Sequence, residues 1–196
     1  MPRPSQIREK RSELTPLIAR AFAELSYRRT TTAELARRCG VRENILYRMW
    51  PDKRAMFIAA IEHVYERSVE IWRGLLEKRD GASPAEQLLN YEAGHHGEFG
   101  LYRILFAGLS ETDDAEISAA LKRTYERFVR FLSQQVAAHR RRGSPRRHLD
   151  AELAAWAFVG LGTAVNIGRE LELISRDSRT ALLARVGRMV LDGETQ

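Results

Sequence analysis

The sequence is poor in cysteine and in long apolar runs, and both shortages exclude classes of protein. Its single cysteine, Cys39, excludes an intramolecular disulfide and any metal cage built from several cysteines. The N-terminus has no apolar segment, so we expect no signal peptide. The longest apolar-rich run, from Leu153 to Ile167, is shorter than the roughly 20 residues that a membrane span needs. We therefore expect no membrane partner and a cytoplasmic location.

Motifs of catalysis are also missing. There is no Ser/His/Asp arrangement in a recognisable context, no Gly-rich phosphate loop and no repeated metal-ligand spacing. The nearest candidate, His95-His96 with Glu98, is weak because adjacent histidines point to different faces of a helix. We therefore expect no enzyme, no catalytic residue, no cofactor and no metal. An all-helical enzyme is the alternative that these absences leave open.

The spacing of apolar residues predicts an all-α fold. No segment alternates like a strand, and apolar residues recur three and four positions apart almost throughout the chain. We expect nine to ten helices, with Asp52 capping the fourth. The domain boundary is expected at the same place, between a small domain of residues 1–52 and a larger helical domain of residues 53–196.

The positive charge is concentrated in the N-terminal quarter of the chain. Residues 1–54 contain 13 Lys and Arg against 6 Asp and Glu, whereas the remaining residues contain 19 against 20. The whole-chain net charge of +6 therefore originates in this segment. Such a localised excess of positive charge is typical of a module that binds the phosphates of nucleic acid.

The same segment has the pattern of two short helices joined by a tight turn. Thr31 and Glu34 predict a capping box that starts the earlier helix. Gly40 supplies the left-handed backbone that a tight turn requires. The later helix spans residues 42–50 and ends before Pro51. This arrangement predicts a helix-turn-helix, whose second helix can enter the major groove of DNA.

That second helix is amphipathic. Leu46, Met49 and Trp50 share an apolar face on a helical wheel of about 100° per residue. The opposite face carries three polar side chains with one apolar neighbour, namely Asn44, Tyr47, Arg48 and Ile45. Asparagine and arginine can read adenine and guanine, isoleucine can contact a thymine methyl group, and tyrosine can donate to a phosphate. A short amphipathic helix is nevertheless common in any helical protein.

These residues resemble the DNA-binding domain of the tetracycline-repressor (TetR) family. The family pattern is T-T-x-x-x-[IL]-A-x-x-[AC]-G-V-x-x-x-x-[LF]-Y-x-[HY]-[FW]-x-[SD]-K. It is matched here by Thr31, Thr32, Leu35, Ala36, Cys39, Gly40, Val41, Leu46, Tyr47, Trp50, Asp52 and Lys53. The similarity covers about residues 17–60, and the rest of the chain agrees in length and helical character only.

The resemblance implies a homodimeric transcriptional repressor that binds a palindromic double-stranded DNA operator and is released by a small-molecule effector. It implies phosphate contacts from Tyr47, Lys53, and Thr31 or Thr32. Positions that vary with operator sequence in the family correspond to Arg42, Glu43, Asn44, Ile45 and Arg48. A DNA-binding dimer without a small-molecule ligand is the remaining alternative.

Three positions depart from the family pattern. Arg42 stands where the family often has the serine that caps the recognition helix, and Met49 replaces a common His or Tyr. Ser26 replaces the Gly that usually ends the first helix. The first two departures prevent inference of the operator sequence.

The larger domain offers two further predictions. Small residues recur along the segment from Ala151, which indicates close helix packing, either within the chain or across a two-fold four-helix interface with the last helix. Aromatic residues are candidates for a ligand pocket, although such residues are more often simply core. The candidates are Trp72, Tyr91, Phe99, Tyr102, Phe106, Phe128 and Trp156.

Overall fold

The computed structural model confirms the all-α class. It describes residues 4–77, 81–141 and 149–193, and within these ranges it contains nine helices and no strand. The helices are α1 (Pro4–Leu25), α2 (Thr32–Arg38), α3 (Glu43–Met49), α4 (Lys53–Leu76), α5 (Pro84–His95), α6 (Tyr102–Leu109), α7 (Ala115–Arg140), α8 (Ala151–Glu170) and α9 (Arg176–Asp192).

The chain forms two compact units. The first consists of residues 1–68 and 99–125, and the second of residues 69–98 and 126–196. The predicted DNA-binding segment, residues 1–52, lies within the first unit. That unit also contains the start of α4, all of α6 and the start of α7, so α4 and α7 each contribute to both units.

The first unit is built around α1, which packs against α2, α3 and α6. Phe22 of α1 meets the edge of Phe57 of α4 with 4.9 Å between ring centroids, and Tyr27 lies 4.7 Å from the same ring. Asp52 caps α4, as predicted, because its Oδ1 accepts from the N–H of Ala55 at 2.7 Å. The cap fixes the start of α4 directly after the helix-turn-helix.

In the second unit, α9 packs against both α5 and α8. One core cluster joins Leu89 of α5 to Val136, Ala154 and Leu191, and Phe158 is packed against it. A smaller cluster lies farther along the same helices. It consists of Ala93, Val165 and Leu183, with Leu161 and Ala184 beside it. The apolar stripes of α5, α8 and α9 therefore hold this unit together.

The helix α8 corrects one expectation. By length and composition only, its 20 residues are long and apolar enough to cross a membrane, so the prediction that this run is too short was wrong. The helix exceeds the apolar run because Asp150 caps it by accepting from the N–H groups of Glu152 and Leu153, both at 2.9 Å. Core helices of water-soluble proteins meet the same two criteria, and α8 does pack on α9.

Candidate nucleic-acid interface

The start of α2 is fixed by Thr31. Its Oγ1 accepts from the N–H of Glu34 at 3.2 Å, which is the first half of the predicted capping box. The Glu34 carboxylate turns instead to the guanidinium groups of Arg37, at 2.7 Å and 2.8 Å, and Arg38, at 2.7 Å. Hydrogen bonds from these two arginines lower the pKa of Glu34 to about 2. The carboxylate is thus held ionised at the beginning of α2, where the helix dipole also favours it.

The turn between α2 and α3 is a Schellman motif. The N–H of Gly40 donates to the carbonyl of Arg37 at 3.2 Å, and the N–H of Val41 donates to that of Ala36 at 3.0 Å. Gly40 has a φ of +64°, the left-handed region that favours glycine. The sequence prediction for this turn is therefore confirmed, and the turn sets the direction in which α3 leaves α2.

The two faces of α3 are divided as predicted. Leu46 is 0% and Trp50 1% exposed, so both belong to the core of the first unit. Asn44, Tyr47 and Arg48 are all exposed. The helix therefore presents polar groups outward on an apolar anchor. Their contact with DNA stays a prediction.

Trp50 also links α3 to α1. The guanidinium carbon of Arg11 lies 5.3 Å from the centroid of the Trp50 ring, within the range of a cation–π interaction. Arg11 is one of the basic residues of α1, and its side chain is exposed. The contact holds the end of α3 against the first helix.

A chain of hydrogen bonds joins the start of α2 to α3. The Tyr47 hydroxyl donates to Thr32 Oγ1 at 3.2 Å, and Thr32 Oγ1 donates to Glu43 Oε2 at 3.3 Å. All three residues were predicted to contact DNA, and the structure brings them together. Glu43 is half-buried, and its carboxylate accepts the threonine hydroxyl.

Lys53 has a structural role in addition to its predicted phosphate contact. Its Nζ donates to the carbonyls of Tyr27 and Thr30, both at 3.2 Å, and lies 4.4 Å from the centroid of the Tyr27 ring. Burial raises the pKa of the Tyr27 hydroxyl. An ammonium group has three donors, so one N–H of Lys53 remains for a phosphate.

The arginines of the two motif helices differ in their partners. Arg37 and Arg38 are both ion-paired with Glu34. Arg42 and Arg48 are exposed and have no ion-pair partner among the described residues. Arg42 occupies the N-cap position of α3 with extended backbone and no side-chain cap bond, as its departure from the family pattern predicts. The unpaired cations thus lie on the helix that was predicted to read DNA.

Ser26 takes the backbone conformation that the family pattern assigns to glycine. Its φ is +66°, and its N–H donates to the carbonyl of Phe22 at 2.9 Å. Thr30, which is fully buried, donates its hydroxyl to the Ser26 carbonyl at 2.5 Å. The turn after α1 is therefore kept without glycine, and at the energetic cost of a left-handed serine.

The predicted ligand residues are divided between the units. In the second unit, Trp72 meets the edge of Phe128 at 5.9 Å between centroids, and Tyr91 stacks on a histidine ring. Trp156 of the same unit is exposed on α8. The first unit holds the remaining three, Phe99, Tyr102 and Phe106. Of these, Phe99 is exposed and the other two are in edge contact at 5.7 Å. Their role in ligand binding stays a prediction.

A polar cluster in the second unit was missed by the sequence analysis. The Glu92 carboxylate accepts the indole N–H of Trp72 at 2.7 Å and lies 2.6 Å from His96 Nδ1. His96 Nε2 lies 3.2 Å from both the Gly162 carbonyl and Asn166 Nδ2. Asn166 Oδ1 is buried and has no hydrogen-bond partner among the described residues. The sequence singled out His96 and Trp72 separately, but nothing in it indicated that they meet Glu92 and Asn166.

Ser83, His139 and Asp192 form an arrangement that the sequence did not disclose. His139 Nδ1 lies 2.7 Å from Ser83 Oγ, and its Nε2 lies 3.0 Å from Asp192 Oδ1. Hydrolases present Nε2 to the serine, so the ring is reversed here. Ser83 is 6% exposed and forms a complete capping box with Glu86 at the start of α5. The three side chains therefore join the ends of α5, α7 and α9.

A second exposed surface is apolar. We define the outer face of α8 as the exposed residues that recur at intervals of three or four along this helix and its flanks. They are Leu149, Leu153, Trp156, Gly160, Ala164, Ile167 and Leu171. On α9, Leu182, Val186 and Met189 are also exposed. A contiguous apolar face of this kind marks an interaction surface more often than a solvated one.

The small residues of α8 differ in what surrounds them. A side chain at Gly168 would place Cβ 2.6 Å from Ile174 Cγ1, so this glycine permits close packing within the chain. A Cβ at Gly160 would meet nothing within 4 Å, and Gly160 is exposed. Gly160 and Ala164 therefore leave a shallow strip in the outer face of α8, which suits a second helix.

Comparison with known proteins identifies the segment around the motif. Residues 17–60 match the family model described as bacterial regulatory proteins, tetR family. The nucleoid occlusion factor SlmA of Haemophilus influenzae (strain PittGG) is 46% identical over 59 residues, which are 30% of this chain and 27% of that protein. The chain thus spans about a quarter of the length of the curated relatives that it matches.

Solved structures extend the likeness to the whole fold. A TetR-family transcriptional regulator from Cytophaga hutchinsonii superposes with a TM-score of 0.78 at 13% identity, covering 100% of both chains. A TetR-family regulator from Agrobacterium tumefaciens gives a TM-score of 0.70 at 13% identity, covering 95% of this chain and 97% of that one. Both are regulators of transcription rather than enzymes.

Proposed function

We propose that this chain, a DNA-binding transcription regulator that belongs to the TetR family, is a repressor that binds a palindromic operator as a homodimer and leaves it when a small molecule binds. Residues 1–52 are the proposed DNA-binding domain, and residues 53–196 the domain for ligand binding and dimerisation. We place the protein in the cytoplasm with no membrane partner, because its proposed target is DNA.

The exposed polar face of α3 carries this proposal. Asn44 and Arg48 are exposed on a helix that is anchored by the buried side chains of Leu46 and, directly after its end, Trp50. Arg48 has no ion-pair partner among the described residues, so its guanidinium group is available for guanine or phosphate. The surrounding hydroxyl and ammonium groups of Tyr47 and Lys53 supply donors for the phosphates that fix the register.

The outer face of α8 supports the homodimer. A two-fold dimer presents the same patch from both subunits, so a self-complementary apolar face is what it requires. Leu153, Trp156 and Ile167 provide apolar area, and Gly160 allows the two copies of α8 to approach closely. A helix-turn-helix dimer on its operator has its two recognition helices one helical turn of DNA apart, about 34–36 Å.

The experiment that tests the proposal selects bound duplexes from a pool of random DNA. The expected result is a palindrome with two half-sites about one turn apart, bound by two copies of the chain. Recovered duplexes without a common sequence would contradict operator binding. A palindrome bound by one copy would contradict the dimer.

The effector is tested with the operator in hand. Thermal unfolding of the protein is screened against a metabolite library, because a ligand that binds only the folded state raises the unfolding temperature. A repressor of the proposed kind yields a compound that both raises this temperature and weakens operator binding. If every stabilising compound leaves operator binding unchanged, regulation by a small molecule is excluded for the compounds tested.

A further inference from the structure

Glu43 is placed where it competes with DNA. In the hydrogen-bonded chain of the first unit, the proton of the Tyr47 hydroxyl points to Thr32, and the proton of the Thr32 hydroxyl points to Glu43. A carboxylate only accepts, so it fixes this direction along the whole chain. The Thr32 proton is therefore held by Glu43, and the Tyr47 proton is held by Thr32.

A phosphate oxygen also only accepts hydrogen bonds. To donate to a phosphate, Tyr47 and Thr32 must release the acceptors that they hold in the free protein. The Glu43 carboxylate thus occupies the role that a DNA phosphate would take, and its negative charge additionally repels the DNA backbone. Removing it would favour phosphate contacts on every sequence.

At a matching base pair, the Glu43 carboxylate can favour binding instead of opposing it. Glutamate accepts a hydrogen bond from the amino group of cytosine in the major groove. A carboxylate that turns to such a base releases Thr32, and through it Tyr47, for the phosphate. On an unmatched sequence the Glu43 carboxylate finds no base donor and keeps its hydrogen bond from Thr32. The Thr32 and Tyr47 hydroxyls then stay bonded within the protein.

Resting on the proposed function, we propose that Glu43 is a specificity-determining residue which withholds the Thr32 and Tyr47 hydroxyls from DNA phosphates until a matching base draws its carboxylate away. It acts against unmatched sequences, in contrast to Arg48, which acts for matched ones. Glu43 thus disfavours binding to unmatched sequences in addition to contacting a matching base.

The test compares Glu43→Gln with the wild-type chain on two duplexes, the selected operator and a scrambled duplex of the same composition. We expect Glu43→Gln to bind the scrambled duplex about three- to tenfold more tightly and the operator less tightly or equally. Glu66→Gln is the matched control, since Glu66 is an exposed carboxylate on α4 in the same unit. An equal gain for both variants would overturn the proposal.

A double-mutant cycle separates this role from simple loss of charge. In a Tyr47→Phe background one of the withheld protons is gone, so we expect Glu43→Gln to gain less on the scrambled duplex than it gains in the wild-type background. An undiminished gain would show that Glu43 acts by charge alone and would overturn the proposal. Thermal unfolding of each variant confirms that it is folded.

The same data distinguish failure of the proposed operator binding from failure of the proposed role of Glu43. If the wild-type chain does not prefer its selected duplex to the scrambled one, the proposed function fails and this inference fails with it. If the wild-type chain prefers the operator but Glu43→Gln keeps the same preference, only the inference is wrong.

Discussion

The helices α3 and α8 expose opposite kinds of side chain. Leu46 of α3 and Trp50, directly after it, are buried, while Asn44 and Arg48 of α3 are exposed. In α8, Asn166 is buried while the outer face of α8, including Trp156 and Ile167, is exposed. One helix keeps its polar groups outside, and the other shows an apolar surface to the outside.

The difference indicates two kinds of partner. Exposed cations and amides are compensated for their lost hydration when they meet a polyanion that offers acceptors and releases its counterions, which is what DNA supplies. Exposed apolar side chains gain free energy only when another apolar surface covers them. The first unit thus carries the surface that we propose for nucleic acid, and the second carries the surface that we propose for a second copy of the chain.

The largest expected effect comes from placing a charge on the outer face of α8. Ile167→Arg puts two like charges, one from each subunit, into the proposed interface. We expect dimer formation to weaken by about 3–5 kcal/mol, because a buried unpaired charge is poorly solvated. Analytical ultracentrifugation over a range of protein concentrations measures the shift from dimer to monomer.

The matched control for this change is Leu109→Arg, since Leu109 is an exposed leucine of α6 in the first unit. It makes the same kind of change outside the outer face of α8 and should leave the dimer intact. If both variants stay dimeric, the outer face of α8 is not the interface.

The next largest effect comes from substitutions on the exposed polar face of α3. Arg48→Ala or Asn44→Ala should cost about 1–3 kcal/mol at particular base pairs, and Tyr47→Phe should weaken binding to the operator and its single-base variants alike. Quantitative binding to single-base variants of the operator separates the two patterns. Equal losses on operator and random DNA for all three variants would show that α3 does not read bases.

Two residues of the first unit share a left-handed backbone conformation but differ in residue type. Gly40 and Ser26 have nearly the same φ, +64° and +66°, but only one of them is glycine. We expect Gly40→Ala to lower the free energy of unfolding by about 1–2 kcal/mol and Ser26→Gly to raise it by about 1 kcal/mol. Urea unfolding measures both changes, and the same sign for both would refute this explanation.

The two units were not equally predictable from the sequence. Local signals suffice for the helix-turn-helix, because the cap at Thr31, the turn at Gly40 and the apolar pair of α3 all lie within about twenty residues. The partners of Glu43 and Lys53 were not predictable, since they depend on how α2 and the turn after α1 pack. The same is true of the Glu92–His96–Asn166 cluster, whose members are up to 74 positions apart and meet only in the folded chain.

The smallest expected effect is a pH dependence at the start of α2. Hydrogen bonds from Arg37 and Arg38 lower the pKa of Glu34 from its ordinary 4.5 to about 2 in the folded state. The carboxylate therefore contributes its full stabilisation above about pH 4.5 and loses it as the pH falls toward 2.

Glu34→Gln removes this contribution, so its unfolding temperature should lie slightly below that of the wild-type chain at pH 7 and approach it as the pH falls from 4.5 to 3. The effect is small because the pairs lie at the surface, where solvent screens them. Glu66→Gln serves as the control for the loss of one exposed carboxylate. A gap between Glu34→Gln and the wild-type chain that stays constant over this range would mean that the ion pairs with Arg37 and Arg38 do not stabilise the fold.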